Sequence, residues 1–226
     1  MDQLSFRYEQ IEQQILSACR AAGRERREVT LLAVSKTRQA AEITALHQLG
    51  VSHFGENYLQ EALAKIHQLA DLPLCWHFIG PLQSNKTRDL AAHFSWVHSL
   101  DRLKLARRLS EQRPEGLAPL NVCIQVNIDA EPQKAGVLPD QVGELAAAIK
   151  DLPGLRLRGL MAIPRAGADD QNRAAFRRLA MTLSQLRNTI PALDTLSIGM
   201  SDDFAVAIDE GATIIRLGTA LFGPRP

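Results

Sequence analysis

The amino-acid sequence predicts an α/β fold, a (β/α)8 barrel of the TIM type with an extra helix at its N-terminus. Two observations predict this class. Short apolar runs that resemble strands alternate about eight times with amphipathic, helix-like patterns, which is the rhythm of such a barrel. The 226 residues are 46% hydrophobic and 23% charged, without a low-complexity linker or an internal repeat. We therefore expect residues 1–226 to form one domain.

The chain begins with a helical pattern and then enters its first strand. Apolar side chains recur at helical spacing from Leu4 to Ala18, and Gly23 can end the pattern, which predicts a helix over residues 3–22. The run at 29–34 is continuously apolar, as is typical of a strand covered on both faces of a parallel sheet. This strand leads to Lys36.

The remaining elements continue the alternation, and the runs near 53 and 96 give the weakest strand patterns. An open, doubly wound sheet is the alternative fold, but the Gly-x-Gly-x-x-Gly turn typical of it does not follow the first strand. The further strands are expected at 52–55, 75–79, 95–99, 121–127, 155–162, 195–199 and 213–218, and the helices between them at 39–49, 57–69, 85–92, 102–112, 139–150, 170–189 and 202–210.

Composition excludes several classes of function. Lysine and arginine (26) nearly balance aspartate and glutamate (25), so the formal charge of +1 provides no general attraction to nucleic acid or to an anionic membrane. The three cysteines are widely spaced without a Cys-x-x-Cys motif, which favours reduced core thiols and no metal site. The N-terminus does not resemble a signal peptide, and no run approaches the ~18 apolar residues of a membrane span. A cytoplasmic location is expected.

Chemistry is expected where the strands end, because the carboxyl ends of barrel strands share one rim. Lys36 lies at the end of the first strand, where a partly desolvated amine becomes nucleophilic. The alternative is that Lys36 ends the strand simply by extending its ammonium group to water.

Two glycine-bearing turns near the C-terminus indicate an anion site. Residues 197–203 run from a strand through Gly199 into a helix, and residues 217–220 form a second such turn. Phosphate sites in barrels usually follow strands seven and eight, because glycine lets the backbone approach and helix N–H groups favour an anion. The alternative is that Ser201 only caps the following helix.

Arg216 is the third part of the candidate site, after Lys36 and the two glycine-bearing turns. Strand alternation places Ile214, Arg216 and Gly218 on one face, so the guanidinium needs a partner in or near the barrel interior, either a buried ion pair or a ligand. A reactive lysine, a phosphate site and a guanidinium suit a phosphorylated aldehyde held as a Schiff base. A Schiff-base aldolase acting on a sugar phosphate would use the same groups.

Six longer motifs in fixed order span nearly the whole chain. They resemble the pyridoxal phosphate homeostasis protein family, also called the YggS/PROSC type. The motifs are LLAVSKT (31–37), HFGENY (53–58), WHFIGPLQSNK (76–86), LRGLMAI (157–163), SIGMSDD (197–203) and IRLGTALFG (215–223).

This resemblance implies a barrel similar to the N-terminal domain of alanine racemase that binds pyridoxal 5'-phosphate (PLP). By matching position, Lys36 would form a covalent aldimine with PLP, and Lys134 matches a further family lysine of open role. The other residues implied to bind PLP are Ser201, Gly218 and Thr219 at the phosphate, Arg216 at the pyridine nitrogen, and Asn57, His77 and Met161 around the ring.

The resemblance also implies a function. An arginine cannot protonate the pyridine nitrogen, which weakens PLP as an electron sink. Alanine racemases have a second domain that supplies a further catalytic group, whereas this sequence ends at Pro226 with a short GPRP tail soon after the eighth strand. We therefore expect a monomeric PLP carrier in vitamin B6 homeostasis, with PLP-dependent apoenzymes as recipients and no catalytic turnover. A PLP-dependent amino-acid racemase is the alternative. Arg156 and Arg158 are expected to face the helix layer.

Overall fold

The computed structural model describes residues 3–165 and 169–224 and shows a closed barrel of eight parallel strands. Each strand pairs with its neighbours in chain order, and the first strand also pairs with the eighth, which rules out the open doubly wound sheet. The predicted fold class is confirmed, including the two weakest strands. The strands are β1 Thr30–Val34, β2 His53–Glu56, β3 Cys75–Phe78, β4 Trp96–Leu100, β5 Leu120–Gln125, β6 Leu155–Met161, β7 Thr195–Ser197 and β8 Ile214–Leu217.

One helix precedes the barrel and one follows every strand. The predicted helices are all present, and their ends differ from the predicted ends by a few residues. A short helix after β8 was not predicted, because only a GPRP tail was expected there; it buries Leu221 and Phe222. The helices are α1 Gln3–Ala21, α2 Ala40–Gln48, α3 Leu59–Gln68, α4 Thr87–His93, α5 Leu103–Glu111, α6 Val142–Ile149, α7 Asp169–Arg187, α8 Phe204–Asp209 and α9 Thr219–Phe222.

Apolar side chains form two separate cores. The larger core lies between the strands and the helices, where it also receives the buried face of α1. The smaller core lies inside the barrel and contains Leu32, Trp96, Cys123, Met161 and Ile214. Barrel interiors are usually filled by branched aliphatic side chains. Here much of the interior is polar, and these polar groups prove to be central to the site.

The expectation that Arg158 faces the helix layer was wrong. Leu155 and Leu157 face that layer, so Arg158 points to the barrel interior, where its guanidinium lies 4.8 Å from the centre of the Trp96 ring. It also binds Asp194, with an Nε–Oδ1 distance of 2.9 Å. A register shift between β5 and β6 then inverts the alternation. Arg156, at the beginning of β6, is exposed.

The long connection between β5 and α6 is ordered by one side chain. The Asn127 amide donates to the carbonyl of Glu131 at 2.8 Å and accepts the N–H of the same residue at 3.1 Å. Lys134 forms an ion pair with Glu131, with an Nζ–Oε1 distance of 3.1 Å. This lysine therefore lies in a folded loop and not in the cavity described below.

Two further expectations can be compared with the structure. Cys19, Cys75 and Cys123 are all free thiols, as expected, although Cys75 is only partly buried. Within the described ranges, no helix is long and apolar enough to cross a lipid bilayer.

Candidate functional site

A cavity of about 570 Å³ opens at the carboxyl ends of the strands. It brings together side chains from β1, β6 and β8 and from the loops after β2, β7 and β8. Seven of the eight residues expected to bind a ligand line it: Lys36, Asn57, Met161, Ser201, Arg216, Gly218 and Thr219. Sequence reasoning missed the other lining residues: Val34, Ile79, Ile163, Met200, Asp202 and Ala220.

The strand that carries Lys36 is anchored by a buried network. The Ser35 hydroxyl donates to Glu56 Oε1 at 2.7 Å, and Lys65 Nζ donates to the same oxygen at 2.8 Å and to the Ser35 carbonyl at 2.7 Å. Glu56 is fully buried, and burial raises the pKa of its carboxyl although Lys65 and Ser35 oppose this shift. The network fixes the backbone immediately before Lys36.

The backbone immediately after Lys36 is also constrained. Thr37 has a φ of 63°, in the left-handed region that β-branched residues rarely occupy. Its N–H donates to Glu61 Oε1 at 2.5 Å, and Glu61 in turn accepts a hydrogen bond from Lys65. Strain of this kind persists only where the surroundings enforce it, and it clusters at functional sites. The same ion-pair network therefore holds both neighbours of Lys36.

The turn between β7 and α8 presents backbone donors to the cavity. Gly199 has a φ of 91°, and Asp203 Oδ1 accepts the N–H of Met200 at 2.6 Å, which closes the turn. The N-cap of α8 is Asp203, so Ser201 does not cap that helix. None of the hydrogen bonds among described residues is donated by the N–H of Ser201 or Asp202.

The turn after β8 provides further backbone donors at the same cavity. Gly218 leaves space here, because a Cβ at this position would be 3.5 Å from the nearest atoms of Val34. The N–H groups of Thr219 and Ala220 donate no hydrogen bond to any described residue. β1 and β8 are paired, with Ala33 opposite Leu217, so this turn lies beside the end of the strand that carries Lys36. Two turns thus offer four N–H groups at one cavity, which is the arrangement that binds phosphate.

Arg216 is a buried cation that borders the cavity. Its Nη1 donates to the Ser197 carbonyl at 2.5 Å and to Ser197 Oγ at 3.0 Å, and its Nη2 donates to the Ala162 carbonyl at 3.0 Å. Its hydrogen-bond acceptors are carbonyl and hydroxyl oxygens and not carboxylates, while the charge of the buried Asp203 favours the cation from a greater distance. Burial lowers the pKa of Arg216 to about 10, so it remains charged at neutral pH.

His77 does not line the cavity, unlike the other residues that the resemblance implied. It is fully buried one layer deeper, two residues before the cavity-lining Ile79, and its ring stacks on Trp96 with the centroids 5.3 Å apart. Any influence of His77 on a ligand in the cavity must therefore be transmitted through other side chains.

A chain of hydrogen bonds connects His77 to Arg216. His53 Nδ1 lies 2.9 Å from His77 Nε2, His77 Nδ1 lies 2.9 Å from His98 Nε2, and His98 Nδ1 lies 2.8 Å from Ser197 Oγ. Burial lowers the pKa of His77 well below its usual value and that of His98 to about 3, so both imidazoles are neutral at neutral pH. We call these three imidazoles with Ser197 the histidine relay.

The direction of the histidine relay follows from Arg216. A guanidinium can only donate, so Ser197 Oγ accepts from it and is free to donate its proton to His98 Nδ1. His98 then donates from Nε2 to His77, and His77 donates from Nε2 to His53. The relay was not predicted, although alternation along β3 and β4 places His77 and His98 on inward-facing positions.

The residues that line the cavity can be compared with the groups of a phosphorylated pyridine aldehyde. The Oδ1 atom of Asn57 is buried without a hydrogen-bond partner, which is costly unless a ligand supplies a donor. Lys36 supplies an amine for an aldehyde, the two turns supply donors for a phosphate, and Arg216 supplies a donor for an aromatic nitrogen. Together these groups fit PLP.

Fold and site together define a class: barrels of the alanine racemase N-terminal type with an amine and an anion site at the mouth. The family model for the alanine racemase N-terminal domain matches residues 7–226. The chain is 60% identical over 212 residues to a pyridoxal phosphate homeostasis protein of Pseudomonas aeruginosa, covering 93% of this chain and 91% of that protein. For the Escherichia coli K12 protein of the same name the identity is 47% over 229 residues, covering 100% and 98%. The chain belongs to the pyridoxal phosphate homeostasis protein family.

Solved structures agree with this assignment. PipY from Synechococcus elongatus, in a structure with PLP bound, is 40% identical and superimposes with a TM-score of 0.79, covering 87% of this chain and 93% of PipY. Alanine racemase from Corynebacterium glutamicum is 17% identical with a TM-score of 0.70, covering 96% of this chain but 60% of the racemase. The racemase therefore shares the fold, and its likeness supports nothing further.

Proposed function

We propose that this protein binds PLP in the cavity at the carboxyl ends of the strands, holds it covalently as a Schiff base on Lys36, and serves PLP homeostasis without turning over a substrate. The observation that carries the proposal is the convergence of Lys36, Arg216 and two donor-bearing turns on one cavity. The orphaned Oδ1 of Asn57 supports it independently. The names of the relatives and the PLP held by PipY agree with it.

Different residues of this chain would bind different parts of PLP. Ser201, Gly218 and Thr219 would hold the phosphate, Asn57 and Met161 would contact the ring, and Lys36 would supply the amine. Bound PLP supplies an aldehyde for an amine and a conjugated ring that withdraws electrons. The network of Ser35, Glu56 and Lys65 holds the backbone beside Lys36 in place, so that only the side chain of this lysine needs to be ordered when PLP binds.

Arg216 limits what the bound group can do. A guanidinium donates a hydrogen bond but does not release its proton at neutral pH, so a ring nitrogen that faces Arg216 remains unprotonated. An unprotonated ring withdraws electrons weakly and stabilises carbanions poorly. This is our physical reason for proposing a carrier over a racemase.

Delivery of PLP would require a contact surface at the mouth of the cavity. Tyr58, Ile163 and Met200 are exposed large hydrophobic side chains, and two of them line the cavity. Exposed apolar groups around a binding site are suited to a transient protein partner. We propose a PLP-dependent apoenzyme as that partner, with this protein acting as a cytoplasmic monomer.

The absorbance spectrum of the purified protein tests the proposal. A near-visible band is expected after addition of PLP, and borohydride should fix the cofactor to the chain. Lys36→Ala should abolish both results, and Lys150→Ala, at an exposed lysine after α6, should leave them unchanged. A protein that remains colourless after PLP addition would contradict PLP binding.

The same samples separate the alternatives. Robust racemisation or transamination of amino acids by the PLP-bound protein would support the racemase alternative and refute the carrier. Borohydride trapping that occurs only with a sugar phosphate, in a colourless protein, would support the aldolase alternative.

A further inference from the structure

Three side chains with metal-ligating atoms meet at the amino-terminal end of the barrel, opposite the PLP cavity. They are His53 and Cys75, the first residues of β2 and β3, and His77. His53 Nδ1 and His77 Nε2 are 2.9 Å apart, Cys75 Sγ and His77 Nε2 are 3.4 Å apart, and all three donor atoms lie within 4.8 Å of one another. We propose that this cluster is a binding site for a thiophilic divalent ion, of which Zn²⁺ is the type.

The separations suit a tetrahedral ion. Zn–N bonds of about 2.0–2.1 Å and a Zn–S bond of about 2.3 Å require donor atoms roughly 3.3–3.6 Å apart. The Cys75–His77 separation of 3.4 Å lies inside this range, and the His53–His77 separation of 2.9 Å falls short of it by about 0.4 Å. The third separation closes with a small rotation of the half-buried side chains of His53 and Cys75. Three protein ligands leave the fourth position to water, as in sites that are not closed.

The surroundings support the ligands. A histidine that binds a metal normally donates its other N–H to a neighbouring group, which fixes the ring orientation. His77 Nδ1 already lies 2.9 Å from His98 Nε2, and His98 is held by Ser197. The buried ligand is therefore oriented before any ion arrives.

One of the three ligands, His53, borders an open cavity, which Glu12, Arg26 and Arg27 also line. This cavity of about 340 Å³ lies at the amino-terminal end of the barrel, between residues of β1 and α1.

Binding would release the thiol proton of Cys75 to solvent and reverse the histidine relay. The N–H of His77 shifts from Nε2 to Nδ1 and donates to His98 Nε2, and the N–H of His98 shifts to Nδ1 and donates to Ser197 Oγ, so each imidazole keeps one proton. His53 Nδ1, His77 Nε2 and the Cys75 thiolate are then the donors to the ion.

This site does not depend on the proposed PLP function, and titration of the metal-free protein with Co²⁺ tests it. We expect one Co²⁺ per chain, with tetrahedral d–d absorption and a thiolate-to-cobalt charge-transfer band, both removed by an equivalent of Zn²⁺. Cys75→Ser should abolish the charge-transfer band. His53→Gln should weaken binding at least tenfold, and His98→Gln, which removes outer support, about 10- to 100-fold.

Matched controls keep the result specific. Cys19→Ser removes a thiol elsewhere and His67→Ala removes an exposed imidazole, and both should bind Co²⁺ as the unmodified protein does. No stoichiometric binding by the folded protein, or a charge-transfer band that survives in Cys75→Ser, overturns the proposal. Where Cys75→Ser fails to fold, the half-exposed His53→Gln decides. The PLP band, read in the same samples, shows separately whether the PLP proposal holds.

Discussion

Lys65→Met provides a quantitative test of the network that anchors Lys36. Lys65 and Glu56 are almost completely buried, with side-chain exposures of 8% and 0%. Methionine keeps the apolar stem of the lysine and removes only its charge and donors. The substitution therefore leaves the carboxylate of Glu56 buried without its cation.

The expected cost follows from the carboxyl group. Breaking one partner of a buried pair typically costs about 3–5 kcal/mol. The carboxyl can avoid part of this by taking up a proton, which at pH 7 costs about 1.4 kcal/mol for each pH unit above an ordinary glutamate pKa near 4.3, or about 4 kcal/mol. We expect Lys65→Met to lower the free energy of unfolding by about 4 kcal/mol at pH 7.

The sign of the pH dependence follows from the same group. Burial raises the pKa of Glu56 in the folded protein, and loss of Lys65 raises it further. A folded pKa above the unfolded one means that stability is present at low pH and lost as the pH rises between the two values. The cost of Lys65→Met relative to the unmodified protein should therefore shrink to about 1 kcal/mol at pH 5.

Urea denaturation at pH 5 and pH 7 measures this difference. Lys104→Met, at an exposed lysine of α5, is the matched control and should change stability little at either pH. Adding Glu56→Gln to Lys65→Met removes the stranded charge and should recover most of the loss at pH 7. An equal cost of Lys65→Met at both pH values would refute the reasoning, because it would mean that packing and not charge holds the network.

Two further predictions concern the cavity itself. Arg216→Ala should shift the spectrum of bound PLP in a folded protein; an unchanged spectrum with a lower melting temperature would reject its contact with the ring. Gly80→Ala should destabilise the protein by about 1–3 kcal/mol and weaken PLP binding, because its Cβ would lie 2.0 Å from the carbonyl oxygen of Asn57. Gly218→Ala, whose Cβ would be 3.5 Å from its nearest neighbours, should unfold at the same temperature as the unmodified protein, and thermal melting of both glycine variants measures the difference.

The fold was predictable because each apolar run is short and continuous and each intervening segment has a helical period. The cavity was predictable because barrel topology brings the ends of all strands to one rim, so Lys36, Arg216 and the two glycine turns could be combined without knowing any distance. The position of Arg158 was predicted wrongly because the strand alternation was assigned to the wrong face, and the register shift at Arg158, between Leu157 and Gly159, is not visible in the sequence.

Other features depend on contacts that a sequence does not display. Glu56 and Lys65 are nine residues apart on different elements, and only the packing of α3 on the barrel brings them together. Cys75 and His77 are different, because a separation of two residues in a strand puts both on one face. This Cys-x-His spacing is visible in the sequence, although it lacks the Cys-x-x-Cys form that is typical of metal sites.

The polar interior explains why one residue type recurs on neighbouring strands. A buried cation such as Arg216 needs acceptors, and the hydroxyl oxygen of Ser197 is one of them while the hydroxyl proton is donated to another group. A neutral imidazole can accept the hydroxyl proton of Ser197, because it accepts at one nitrogen and donates at the other. His98 and His77 therefore each accept one hydrogen bond and donate the next one, and neither adds charge to the interior. His53 ends the series at the half-exposed end of the barrel, where solvent satisfies the last group. The interior can therefore hold a buried cation beside the cavity although, among the described residues, Arg216 forms no direct ion pair and the buried Asp203 acts on it only through its charge.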